Sequence, residues 1–357
     1  MLWIAYSILC SIVCLKTNQI AAINDNSLII KKTARSGPAS AQNPLLFDHI
    51  FVLIMENRGH DQTLSSPAWQ SIIQSSAWLT DMYAITHPSQ PNYVSMIAGS
   101  TLNCKDNNYC STNETTIIDL LNRAGVSWKS YQENYTPLPT MTSPNCNDAI
   151  ELSNGLYVRR HNPFMFSAAV RNNTTECKKI VNADQLAIDL ANQELPQFSF
   201  YTPNIKNDAH DTDLIYAGNY LKNWLNIYLN DSNFMRGTLL IVTFDEDESN
   251  PGQTNHIPAL MWGTDYLYSA VKIPGKFNLY SLPKLLEENW GLGNLGRQDV
   301  TASSLMDIWR LTSDSNNTTI QTTSISTIVS SMASRKDIVW NLLIIVCYLL
   351  ICINMIY

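Results

Sequence analysis

What the chain has little of narrows its function first. Basic residues are outnumbered: 23 Lys and Arg stand against 30 Asp and Glu, a formal charge of −7 in 357 residues. No basic face is set up for a polyanion, which argues against nucleic acid as a partner. Cysteine is sparse, eight in all, and no spacing among them makes a zinc knuckle. A basic tail is missing too, since Arg335 and Lys336 precede the apolar run Ile338 to Tyr357 and neither Lys nor Arg follows it. A span with a cytoplasmic tail normally carries basic residues after it. A lipid-anchor signal is therefore expected for residues 338–357, with a retained transmembrane anchor as the alternative.

The remaining terminal features fit export. Leu2 to Cys14 is apolar, with Lys16 and then Ala21-Ala22 beyond it, so residues 1–22 are expected to be a signal peptide, or else an uncleaved anchor. Residues 312–334 are rich in Ser, Thr and Asn without a hydrophobic period and read as a stalk. Small residues for anchor attachment occur there at Ser330, Ser331, Ala333 and Ser334. Asn113, Asn134, Asn172, Asn173, Asn230, Asn316 and Asn317 each have Ser or Thr two residues on, the acceptor pattern for N-glycans. The expected destination is the secretory pathway and the cell surface, with the body held at a membrane on its extracellular side. Outside leader and tail remain Cys104, Cys110, Cys146 and Cys177, which allow three pairings. The short loop between the first two favours Cys104–Cys110 with Cys146–Cys177.

Between the ends, residues 44–311 are expected to form one catalytic body. Asp48 to Met55 and Thr238 to Phe244 are apolar runs of the kind buried on both faces of a sheet. Further strands are expected at Ala77 to Ala84, Val126 to Tyr131, Gln197 to Thr202 and Ile257 to Trp262. Helices are expected at Pro67 to Ser76, Asn92 to Ala98, Thr115 to Ala124, Ala183 to Asn192, Asp213 to Leu229, Ser281 to Asn289 and Thr301 to Arg310. Gln132 to Lys179 reads as an excursion from the sheet. The alternation predicts an α/β fold with a mainly parallel central sheet and helices on both faces.

In such a sheet the carboxyl ends of the strands share one edge, where ligands bind. Glu56-Asn57, Asn204 to Asp211 and Asp245-Glu246 each follow an apolar strand directly. Glu56, Asn57, Asp245 and Glu246 are hard oxygen donors suited to one divalent cation, Mg, Ca or Mn in preference, and Zn if a histidine joins. Ser89 stands two residues before Pro91, which is expected to take the first helical position. A serine there is either a plain helix cap or a nucleophile at a positive helix end. His161 and His210 could donate to phosphate or protonate a leaving group, which favours activity on the acid side of neutrality. Arg159 and Arg160 could clamp a phosphate, and His256 is a further histidine of weaker claim.

The ordered series Glu56-Asn57, His87-Pro88-Ser89-Gln90-Pro91-Asn92-Tyr93, Arg160-His161-Asn162-Pro163-Phe164, Asn207-Asp208-Ala209-His210-Asp211 and Phe244-Asp245-Glu246 resembles the motifs of a phosphoesterase family. That family holds secreted acid phosphatases and bacterial-type phospholipases C, within the alkaline-phosphatase-like superfamily. The resemblance runs from about Phe47 to Gly263. It implies an alkaline-phosphatase-like α/β sandwich, Ser89 as nucleophile, and Glu56, Asn57, Ser89, Asp245 and Glu246 around the metal. His161 and His210 would act on the phosphate, with Asn92, Arg160 and Asp211 at the substrate. Phe244 stands where a tryptophan is common, and Gln132 to Asn154 matches nothing in the pattern. The expected function is a metal-dependent acid phosphatase cleaving phosphate monoesters through a phosphoserine. The alternatives are a phospholipase C or other phosphodiesterase, and an inactive surface glycoprotein used for binding.

Overall fold

The computed structural model describes residues 46–137, 146–248, 254–263 and 269–308. The expected signal peptide at 1–22, stalk at 312–334 and hydrophobic tail at 338–357 lie outside the described residues. Among the described residues no helix is long and apolar enough to cross a membrane.

The sheet is built outward from its most apolar strands. His49–Met55 (β1) and Thr238–Phe244 (β8) have seven residues each and are buried throughout except at His49. They lie side by side in parallel, with His49 opposite Thr238 and Met55 opposite Phe244. Such unbroken apolar runs suit only strands covered on both faces. Beyond β1 come Phe198–Thr202 (β7), Trp128–Gln132 (β3) and Ile180–Asn182 (β6), all parallel. Beyond β8 come His256–Trp262 (β9), Ala77–Tyr83 (β2) and, at the edge, Val271–Asn278 (β10). A separate ribbon pairs Glu151–Leu152 (β4) with Tyr157–Val158 (β5) inside the expected excursion.

Of the eight strands in the main sheet only β9 is antiparallel to its neighbours. The mainly parallel sheet is therefore as expected, and the carboxyl ends of β1, β2, β7 and β8 share one rim. Pro258 of β9 falls where the β2–β9 ladder shifts register, between the Leu79 and Met82 pairings, so its missing N–H breaks no ladder bond there.

Among the described residues seven longer helices cover the sheet: His60–Ser65 (α1), Gln70–Ser75 (α2), Ser89–Ala98 (α3), Ile117–Ala124 (α4), Gln185–Ala191 (α5), Leu214–Tyr228 (α6) and Ser281–Trp290 (α7). α3 packs with α4, α7 and the helical turns between Arg159 and Met165, while α6 packs with the turn Pro67–Trp69 beside α1 and α2. Both faces are thus covered. α4 opens on a capping box, Asp119 Oδ2 accepting from Thr116 N at 2.7 Å, and Gly125 ends it in the left-handed region. Cys104 is bonded to Cys110 and Cys146 to Cys177, the pairing expected.

Four local expectations change. α3 starts at Ser89 with Pro88 as its cap, so Pro91 is not the first helical residue. It is the third, where an N–H would still lack an intrahelical acceptor. The helix expected at Pro67 to Ser76 is a tighter turn, Pro67–Trp69, running into α2. The helix expected at Thr301 to Arg310 does not begin at Thr301: Gln298–Thr301 is a single turn, Ala302 is extended, and helical residues resume at 307–308, after Ser304 Oγ accepts from Met306 N at 3.1 Å, while 309–310 lie outside the described residues. A serine oxygen accepting from the N–H two residues on marks the start of a helical turn, so the helix is delayed to beyond Ser304. α1, β6 and β10 were not expected at all.

Candidate active site

Each polar cluster stands one step beyond a strand, and backbone bonds lock the steps together. Asp245 N donates to Met55 O at 3.1 Å, and Glu56 N donates to Asp208 O at 2.8 Å, so the ends of β1, β7 and β8 are tied. Gly59 lets the chain after β1 lie against the chain after β8, since a Cβ there would fall 2.3 Å from Asp247 Oδ2. The loop before α3 is fixed by Asn92, whose Oδ1 accepts from Ile85 N and Thr86 N at 3.0 Å each. Its Nδ2 donates to Thr86 O at 2.7 Å. Asn92, expected at the substrate, thus spends its amide on shaping the Ser89 turn.

Ser89 is buried at the rim, and its Oγ lies 2.6 Å from Glu56 Oε1 and 2.9 Å from Glu246 Oε1. The hydroxyl reaches across to the ends of two other strands rather than capping its own helix. Glu56, Asp245 and Glu246 are all wholly buried and place carboxylate oxygens within 4.8 Å of one another. Neither oxygen of Asp245 has a hydrogen-bond partner. Burial pushes the Asp245 carboxyl well up, and the Glu56 and Glu246 charges push it the same way. Burial also raises Glu246, against the opposing hydrogen bonds of His87 and Ser89. Three crowded carboxylates, one of them unpartnered, are the donor set that a divalent cation neutralises. Asn57 sits beside them and donates its amide to Glu248 Oε2.

The second wall carries the imidazoles. His161 is buried between Glu56, through Nε2, and Asp208, 3.5 Å from Nδ1, and the Tyr93 ring stacks on it at 5.0 Å and 11°. Burial alone would strip its proton, but the Glu56 and Asp208 carboxylates win and hold its pKa above the ordinary value. In return Glu56 is held below the usual carboxylate range although burial opposes this. Asp208 is pushed up to about 6, by burial first and by Glu56 next. His210 is part-exposed, with Nε2 3.9 Å from Glu56 Oε1 and Nδ1 2.7 Å from Asp211 Oδ1. It borders a cavity of about 530 Å³ that Arg58, Gln62, Asp211, Leu214 and Ile215 also line.

The two adjacent arginines separate. Arg159 is buried, pairs with Asp148, donates to Met165 O at 2.9 Å and lies over the Tyr109 ring. Arg160 keeps its Nε buried without a hydrogen-bond partner. The structure therefore brings Ser89, Glu56, Asp245, Glu246, His161 and His210 to one rim, with Asp211 orienting His210. Sequence reasoning passed over Asp208, His87 and Tyr93. All three lie inside the quoted motifs, so the signal was present but its polar residues were not ranked. Glu133 was missed as well: it accepts from Tyr220 at 2.7 Å and from Asn204 N at 2.9 Å, which anchors the loop after β7.

Comparison with known proteins places this arrangement. An acid phosphatase of Aspergillus fumigatus is 33% identical over 272 residues, covering 75% of this chain and 60% of that protein. A probable acid phosphatase of Kluyveromyces lactis is 33% identical over 275 residues, covering 76% and 64%. The chain thus spans less than two thirds of the length of these relatives. Among solved structures, a protein in the alkaline phosphatase superfamily from Vibrio parahaemolyticus shares the fold, with a TM-score of 0.50 at 16% identity over 76% of this chain and 72% of that one. Residues 66–293 match the model of the Phosphoesterase family. The matched stretch holds most of the rim, from the Ser89 turn to the end of β8, and leaves only Glu56 and Asn57 upstream, so the chain belongs to the Phosphoesterase family.

Proposed function

We propose that this chain is a metal-dependent phosphomonoesterase of the acid phosphatase type, with Ser89 as nucleophile. The observation that carries the reading is the position of Ser89 Oγ against Glu56 and Glu246, next to a buried Asp245 with both oxygens unpartnered. Glu56, Asp245, Glu246, Asn57 and Ser89 would hold one divalent cation, Mg, Ca or Mn in preference to Zn. Bound there, it supplies a lowered hydroxyl pKa and neutralisation of phosphate charge.

The chain's own residues do the rest. Ser89 attacks phosphorus from the first residue of α3, at the positive end of the helix dipole. The protonated His161 and Arg160 offset charge on the equatorial oxygens. His210, on the open side toward the cavity, donates a proton to the departing alcohol. Water then hydrolyses the phosphoserine, and His210 is returned to its starting state by giving and taking one proton. A required imidazolium at His161 means that turnover falls as pH rises past its pKa, which the Glu56 and Asp208 carboxylates hold above the ordinary value.

Export to the cell surface fits the same reading. Asn113, Asn172, Asn173 and Asn230 are exposed and open to glycan transfer, whereas Asn134 is half-buried and its Oδ1 accepts from Asn204 at 2.9 Å. The proposal is tested with Ser89→Ala and an aryl phosphate. Turnover should fall by at least ~10³-fold, as for loss of other catalytic nucleophiles, with the thermal transition retained. Undiminished turnover would overturn the reading. A parallel assay on a phosphatidyl diester separates monoesterase from phospholipase C.

A further inference from the structure

The turn that carries Ser89 is also held from a side that the proposed chemistry does not use. Gln90, the next residue of α3, is only 5% exposed, although its amide has hydrogens to place. Its Nε2 donates to Asp106 O at 3.0 Å and to Asn108 O, and lies 3.2 Å from Cys104 Sγ and 3.1 Å from Cys110 Sγ. Its backbone N, one of the first-turn groups that no acceptor within the helix can reach, donates to Asn107 Oδ1 at 3.0 Å. Every N–H of Gln90 therefore enters the short loop closed by the Cys104–Cys110 disulfide.

That loop has no core of its own. Lys105 to Tyr109 are exposed, and Cys104 is the end that turns inward, packing with Val94 and Ala98 of α3 and with Phe166. Its outer anchor is Tyr109, whose Oη donates to Asp148 Oδ2 at 3.1 Å and whose ring lies 4.1 Å from the Arg159 guanidinium. Arg159 pairs with the same Asp148 and stands two residues before His161. The chain leaving the loop is tied to the segment after His161, Thr112 N donating to Phe166 O at 3.0 Å and Ala168 N to Thr112 O at 2.9 Å. One small cross-linked loop thus meets the neighbour of Ser89 and both flanks of His161.

We infer that Gln90 is a positioning residue for Ser89, and that the Cys104–Cys110 loop is the frame that sets the spacing between Ser89 and His161. This rests on the reading of Ser89 as nucleophile. The bonds of Ser89 Oγ to Glu56 and Glu246 aim the hydroxyl, whereas the loop fixes where the helix that carries it begins. A misplacement of about 1 Å costs about 10²-fold in rate. A glutamine that only satisfied the loop would leave the rate untouched.

The test is steady-state turnover of an aryl phosphate, with divalent cation added, by Gln90→Leu, by the pair Cys104→Ser with Cys110→Ser, and by all three changes together in the full chain. Gln90→Leu keeps the bulk and leaves Asp106 O and Asn108 O on an exposed loop where water can replace the amide, so its thermal transition should stay near that of wild type. Its kcat should fall by ~10- to ~10²-fold with KM within about twofold. Both routes break one frame, so the triple variant should be no slower than the slower of its parents. The Gln90→Leu arm decides by itself where the serine pair does not fold. Full kcat in Gln90→Leu, a loss carried by KM alone, or a triple variant whose loss is the product of the separate losses would overturn the inference. Undiminished turnover in Ser89→Ala would instead overturn the reading on which it rests.

Discussion

Asp245 shows how much a single carboxylate can be made to hold. It is wholly buried, both oxygens are unpartnered, and Glu56 and Glu246 crowd it, so in the absence of a cation it opposes folding. Asp245→Asn keeps the shape and removes the charge. Without metal the variant should melt higher than wild type, by roughly 1–2 kcal/mol or a few degrees. With divalent cation added, wild type should gain stability and the variant should not. Thermal melts with chelator and with Mg²⁺ or Mn²⁺ check both halves, and a lower apo transition in the variant would contradict the first. Asp245, Glu246, Glu56 and Ser89 were legible in the sequence because each follows an apolar strand or opens a helix. Asp208 was not, since the polar run after β7 offers several candidates and only the folded loop shows which carboxylate turns inward against His161. Arg159 and Arg160 were indistinguishable for the same reason: neighbours in sequence, one is consumed by Asp148 and the other keeps a buried Nε without a hydrogen-bond partner.

At the level of elements, α7 and the turn Gln298–Thr301 meet through a pair of acids. Leu295 N lies 3.1 Å from Glu287 Oε1 and 2.9 Å from Asp299 Oδ2, and both carboxyls are buried. Burial, and then the charge of Asp299, pushes Glu287 up to about 8. A folded pKa above the unfolded value means that the folded state binds more protons in between. The contribution of Glu287 is therefore full below its unfolded pKa near ~4.3 and is lost as pH rises toward 8. Glu287→Gln should flatten this decline and melt ~3 °C higher than wild type at pH 8–9, while at pH 5 the two should nearly coincide. Melts across that range check it, and an unchanged slope would sink the assignment. Among the elements, β1 and β8 could be read directly from their apolar runs. β10 could not, because Lys272, Pro274, Gly275 and Lys276 give it the composition of a loop, as an exposed edge permits. The reversed direction of β9 was also out of reach, since an apolar run carries no polarity.

For the whole molecule, the rim joins strands far apart in sequence, and a cation held by Glu56, Asp245, Glu246 and Ser89 would cross-link β1, β8 and the start of α3. Saturation at ~100 times the dissociation constant should add about 2.7 kcal/mol to global stability. Hydrogen exchange should slow at residues 56–58 and 245–248 and at the first turn of α3, and chelation should reverse both effects. Equal exchange with and without cation would show that nothing binds there. The architecture as a whole was legible because alternating apolar strands and amphipathic helices leave few ways to cover a sheet on both faces.

The start of α3 carries one more consequence. A serine serving as helix cap would have to give up a bond to its own helix each time it reacted. Ser89 is instead the first residue inside the helix, with Pro88 outside it and no capping bond from either side chain. Its hydroxyl is bound only to groups across the rim, so esterifying it removes nothing that holds α3 together. Fold integrity is thereby decoupled from the reactivity proposed for this position, and the covalent cycles of that proposal would leave the turn unfrayed.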